Sequence, residues 1–98
     1  MAQYMIDISL PTDPNTEYFA LIPLQRAHIE KLLEQGVVMG YSLSIDRSKL
    51  WIVMNAPNER EALEVLSAFP LFKYFQPKIY PLMFHNTSLM SLIRVSMN

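Results

Sequence analysis

Three prolines, Pro70, Pro77 and Pro81, set among Phe69, Phe72, Tyr74, Phe75, Tyr80 and Phe84, constrain the C-terminal part of this chain more than any other feature. Pro70 ends any helix that reaches it, because its ring clashes with the preceding turn and it brings no N–H. Pro77 and Pro81 lack a donor for a ladder, so they confine the next strand, roughly Lys78 to Phe84, to a sheet edge or an irregular pairing. So much ring surface around so many breaks predicts a shaped wall, not a plain helix or hairpin.

Upstream, hydrophobic periodicity supplies the other elements. Tyr4, Ile6, Ile8 and Leu10 alternate with Met5, Asp7 and Ser9, the period of two that marks a strand with one apolar face. Pro11 to Thr16 has the composition of a turn. From about Tyr18 to Gln35 a helical stripe runs through Ile22, Ile29, Leu32 and Leu33, with Thr16 placed to cap it and Gly36 to stop it. Pro23 breaks into that stripe and predicts that the helix proper starts near residue 22. Val37 to Ile45 alternates again, with Val37, Met39, Tyr41, Leu43 and Ile45 opposed to Val38, Gly40, Ser42 and Ser44. Asp46 to Lys49 reads as a polar turn, Leu50 to Asn55 as the strand that completes a hairpin. Asn58 is a fitting N-cap for a second helix to about Ala68, with Ala62, Leu63, Val65 and Leu66 inward.

The order is β-α-β-β-α-β, which predicts an α+β, ferredoxin-like domain with a four-stranded antiparallel sheet and both helices on one face. That domain spans residues 1–85. Residues 86–98 carry Leu89, Met90, Leu92, Ile93, Val95 and Met97, an apolar tail expected to dock on a subunit, its own or a neighbour's.

Among 98 residues 51% are apolar and 17% charged, which is rich for so small a body and points to an interface between copies. A net charge of −1 without a basic stripe argues against nucleic acid. No apolar run approaches the roughly 20 residues of a membrane span. The N-terminus lacks the pattern of a signal peptide, so cytoplasm is the expected location. There is no cysteine, the two histidines have no ligand-like spacing, and no glycine-rich phosphate loop is present, so neither metal nor cofactor is expected.

Helices on one side of the sheet leave the other side to solvent or to a second copy. That side is expected to carry Met5, Asp7 and Ser9, joined by Ser42 and Ser44. Closure by a second copy gives a dimeric α+β barrel around a mixed pocket. An enclosed Asp7 is a candidate general base, and the plain alternative is a hydrogen-bonded structural acid. His28 is the second proton-transfer candidate, since histidine is the side-chain type suited to that work near neutral pH. Ser9, Ser42 and Asn55 are candidates to hold polar atoms of a substrate, with Trp51 and Tyr74 as walls. Rings at such spacings are as well suited to core or interface.

Ile6-Asp7-Ile8-Ser9-Leu10-Pro11, Leu32, Gln35-Gly36 and the segment from Phe69-Pro70-Leu71-Phe72 to His85 resemble the muconolactone isomerase family. The resemblance covers nearly all of the chain except the tail. It implies the ferredoxin-like fold, assembly of dimers into larger oligomers, and a cofactor-free shift of a double bond in a five-membered lactone by proton transfer. The chain departs from the pattern in places. Where the family carries a basic and aromatic run after Gln35-Gly36, Val37 to Leu43 contains no Lys, Arg or His. Met5 stands at a basic position of the first strand, and Gln25 at an acidic position of the first helix. Arg26-Ala27-His28 with Gly36 and Gly40 resembles, more loosely, the helix and strand of YciI-like relatives of the same barrel fold.

Two readings follow. One is a cofactor-free isomerase acting on a small cyclic, lactone-like substrate, with Asp7 or His28 moving the proton. The other is a non-catalytic ligand-binding or assembly protein that kept the fold without the isomerase's basic residues.

Overall fold

The computed structural model describes residues 2–85, and the apolar tail expected at 86–98 lies outside the described residues. Strand β1 (Ala2–Ser9) leads to α1 (Thr16–Glu34), the hairpin β2 (Val38–Leu43) and β3 (Lys49–Ala56), α2 (Glu59–Ser67), and β4 (Gln76–Leu82). The sheet order is β2-β3-β1-β4, with every neighbour antiparallel. This is the expected fold. Ile29 and Leu32 of α1, and Ala62 and Leu66 of α2, share one core with Ile6, Ile8, Ile52 and Met54, so both helices cover the same face.

Three details differ from the sequence reading. The N-cap of α1 is Asn15, whose Oδ1 accepts from the Tyr18 N–H at 2.9 Å, so the helix starts at Thr16 and runs through Pro23. Pro23 is exposed, where water can reach the Phe19 carbonyl that it leaves without a helical partner. In the hairpin, Val38 pairs with Met54 and Gly40 with Val53, which makes Met39 the extra residue of a β-bulge. The bulge breaks the alternation and turns Val38 into the core, against the expected face. Ser44, expected on the open face, lies past the end of β2 and belongs to the turn.

Past α2, Phe69, Leu71 and Phe75 are buried and a 3₁₀ turn spans Phe72–Tyr74. Among the described residues β4 is an edge strand paired to β1 alone, in keeping with its two prolines. Gly36 follows α1 with φ 74°, the left-handed turn for which glycine is suited.

Leu66 is fully buried, whereas Leu63, expected on the same apolar side of α2, is 43% exposed. Leu66→Ala is expected to lower stability by about 2–5 kcal/mol through loss of burial and the cavity left behind. Leu63→Ala should stay within about 0.5 kcal/mol of the parent. Urea unfolding of the two variants checks the order, and equal losses would contradict this orientation of α2.

Candidate functional site

The open face of the sheet collects five of the seven candidate residues. Asp7 lies opposite Trp51 on β3 and Lys78 on β4, Gln3 lies opposite Asn55, and Trp51 lies opposite Ser42. Directly paired residues share a face, so Asp7, Ser9, Ser42, Trp51 and Asn55 lie on one side. Lys49, read from sequence as a turn residue, instead opens β3 opposite Ser9. Its Nζ donates to Asp7 Oδ1 at 3.2 Å and to Ser9 Oγ at 3.0 Å. Met5, Trp51, Val53 and Tyr80 surround this polar group, with Trp51 37% and Tyr80 48% exposed. Asn55 Nδ2 is turned toward the Gly36 carbonyl, at 3.0 Å.

His28 and Tyr74 are elsewhere. His28 sits in the helical layer, its ring edge-on to Phe69 at 5.0 Å between centroids, and its buried Nε2 has no hydrogen-bond partner among the described residues. The sheet separates it from Asp7. Tyr74 packs edge-on against Tyr18 at 5.3 Å, and its hydroxyl donates to Asn15 Oδ1 at 3.2 Å. It therefore braces the start of α1.

A second feature was not anticipated from sequence as a site. Between α1 and the β2–β3 end of the sheet, on the helix side, lies a cleft of about 770 Å³. Leu10, Ile22, Leu43, Leu50, Leu71 and Phe75 give it apolar walls, while Tyr18, Gln25, Arg26, Asp46, Arg47 and Ser48 supply its polar groups. Neither Asp7 nor His28 lines it. Gln25 is 8% exposed, and its Oε1 accepts from the Leu71 N–H at 3.1 Å, tying α1 to the segment before β4. Burial pushes the Tyr18 phenol above its usual 10, an effect that nearby Arg47 partly offsets, so it remains a donor.

The rim of the cleft is the turn between β2 and β3. Asp46 Oδ1 accepts from the Ser48 hydroxyl at 2.7 Å, the Ser48 N–H at 3.0 Å and the Ser44 hydroxyl at 2.8 Å. Ser44 Oγ in turn accepts from the N–H groups of Ser48 and Lys49. Arg47 follows with φ 61°, a left-handed conformation uncommon for a side chain of its size. The polar composition of residues 44 to 49 signals a turn, but nothing local shows that the turn overhangs α1. Arg26 and Arg47, remote from each other in sequence, meet on one cleft only through packing.

A small ferredoxin-like α+β domain with an apolar cleft under its first helix and a polar group on its bare sheet face defines the class. A family model described as muconolactone delta-isomerase matches residues 3–88, and the chain belongs to that family. Among solved structures, a muconolactone isomerase superposes with a TM-score of 0.70 at 18% identity, over 89% of this chain and 94% of that one. A 5-chloro-2-hydroxyhydroquinone dehydrochlorinase from Burkholderia phenoliruptrix, in complex with 2,5-dihydroxybenzoquinone, superposes with a TM-score of 0.57 at 13% identity. It covers 89% of this chain and 97% of that one. At these identities the likeness is one of fold. Among curated proteins none matches significantly in sequence.

The serine donors, Ser48 first, hold the Asp46 carboxyl at about 2, below its ordinary 3.8. A lowered folded-state pKa means that this stabilisation of the turn is complete above about 3.8 and is lost as pH falls through about 2. Asp46→Asn is therefore expected to be less stable than the parent at pH 6, with the difference shrinking below about 3.8 and closing only below about 2. Chemical unfolding across that range tests this, and a difference that persists unchanged into acid would refute the assignment.

Proposed function

We propose that this protein binds a small, largely apolar cyclic molecule in the cleft beneath α1, as a family member without the isomerase's proton-abstracting group there. One observation carries the reading. Among the described residues lining the cleft the only carboxylate is Asp46, which its serines keep ionised and occupied, and the position expected to be acidic is the Gln25 amide. An amide has no basic site to take a proton from carbon. Of the remaining polar groups, Arg26 and Arg47 only donate, and the Gln25 amide N–H and the hydroxyls of Thr12, Tyr18, Tyr41 and Ser48 can donate, which suits a ligand that carries acceptors. The volume and mixed lining fall in the usual range for small-molecule pockets.

A second reading is favoured by the Asp7–Lys49–Ser9 group. In it, two copies press their open sheet faces together and enclose a site for cofactor-free isomerisation of a lactone-like molecule. Asp7 takes and returns the proton, and Lys49 stabilises the negative charge that develops on oxygen. Ser9, Ser42 and Asn55 hold polar atoms, and Trp51 walls the ring. His28 and Tyr74 have supporting places in this reading, on the far side of the sheet.

Proton NMR of the parent with a panel of γ-lactones in deuterium oxide separates the two. The cleft reading expects binding shifts at Leu43, Leu50 and Leu71 without turnover or carbon-bound deuterium. Gln25→Glu restores a buried carboxylate whose pKa desolvation raises, and it should gain exchange on the order of 10²-fold over the parent. Turnover by the parent would overturn the non-catalytic reading.

The sheet-face reading expects such turnover, and a drop of at least about 10²-fold in Asp7→Asn. It also expects a dimer that Trp51→Glu converts to monomer. Sedimentation of the parent as a monomer at micromolar concentration, or full activity in Asp7→Asn, would remove it.

A further inference from the structure

A groove between α2 and β4 belongs to neither candidate site. Pro77 and Ile79 share the helix-side face of the sheet with Ile8 and Ile6, their partners on β1, but α2 leaves both partly exposed. With Glu59, Arg60 and Leu63 they line an open groove of about 450 Å³. Leu63 is 43% exposed there, and Met83 and Phe84, just past β4, are 97% and 71% exposed. We propose that residues 89–97 of the same chain close this groove as a third helix, returning along β4 beside α2.

The outer edge of β4 is unfit to take a fifth strand. Leu10, in register with β1, donates its N–H to the Ser48 carbonyl, so even-numbered residues of β1 bond to β3 and odd-numbered ones to β4. On β4 it is therefore Gln76, Lys78, Tyr80 and Leu82 that bond to β1, while Pro77, Ile79 and Pro81 turn their backbone outward. Of those three, Ile79 alone has an N–H to offer. A segment that covers this edge must do so with side chains.

The tail has the pattern for it. Leu89, Leu92, Ile93 and Met97 recur at spacings of three and four, with Ser91, Arg94 and Asn98 on the opposite side. Ser88 stands at the capping position. As a strand the same residues would set Ser91 between Leu89 and Ile93, and Arg94 beside Leu92, leaving neither face apolar. Nine helical residues span about 14 Å, and Ile79 and Pro77 lie roughly 10 and 17 Å back from Leu82 along the strand. The outer edge of β2 is three strand spacings, about 14 Å, to the far side of the sheet. Charge is complementary as well. Arg94 is the one charged side chain in residues 86–98, and α2 carries Glu59, Glu61 and Glu64 against Arg60, none in an ion pair among the described residues.

A contact of this size adds little to global stability, so the test is local: hydrogen exchange and methyl NMR on the full-length protein. Amides of residues 92–97 are expected to exchange at least about tenfold more slowly than in a free peptide of the same sequence. Methyl groups of Leu92 and Ile93 should show nuclear Overhauser contacts to Leu63 and Ile79. Leu63→Lys, at an exposed site of α2, and Ile93→Ser in the tail should each return the tail to the free-peptide rate while β1 amides stay within about threefold of the parent. Arg94→Glu should lose part of the protection and regain some of it at high salt. Free-peptide exchange in the parent, protection that survives both Leu63→Lys and Ile93→Ser, or tail contacts to Leu43 and Leu50 instead would overturn the proposal. So would contacts seen only between labelled and unlabelled chains in a mixture, which would place the tail on a neighbouring copy.

Discussion

Strand β1 is hydrogen-bonded on both edges, to β3 and to β4, and its two faces meet opposite environments. Ile6 and Ile8 are fully buried under the helices, while Asp7 and Ser9 point to the bare side and find Lys49 there. A slip of one residue in either pairing would drive the carboxylate into the hydrocarbon core and the isoleucines into water. The penalty for burying an unpaired charge makes that register secure. Both candidate sites depend on it. The open-face group exists because Asp7, Trp51 and Lys78 are aligned across three strands, and the cleft exists because the helices stand on the other side.

The cleft is the consequence of uneven coverage. α1 is long, and its N-terminal half reaches past Ile29 and Leu32, where it is packed, toward the hairpin end of the sheet. There the chain fills space with loops: Leu10 to Pro14 on one side and the β2–β3 turn on the other. Gln25 and the Asn15 cap with Tyr74 hold the helix at that distance. A leucine at position 25 would leave the Leu71 N–H without its partner, so the amide serves the architecture whatever else it does.

Membership of the isomerase family gives the frame, and the chemistry depends on the side chains set in it. In this chain Gln25, Arg26 and Arg47 line the cleft, while Asp7, Ser9 and Lys49 lie on the opposite face of the sheet. Proton transfer at carbon needs acid, base and substrate on the same side of one wall.

Much of the fold could be read in the chain, because periods of two and of nearly four are imposed locally by the pleat and the helical turn. The edge position of β4 agrees with Pro77 and Pro81, and the open-face companions of Asp7 on β1 followed from alternation. Where a local rule met a compensation, the reading slipped. Pro23 is tolerated because it faces water, and the bulge at Met39 reverses Val38. What the sequence by itself determined was the order of elements and the sidedness of each strand. Tertiary structure alone decided that Lys49 reaches Asp7, that His28 lies beyond the sheet, and that Arg26 and Arg47 share one cleft. Those facts depend on register and on the overhang of a turn, which are set by contacts between residues distant in the chain and leave no mark in any local window.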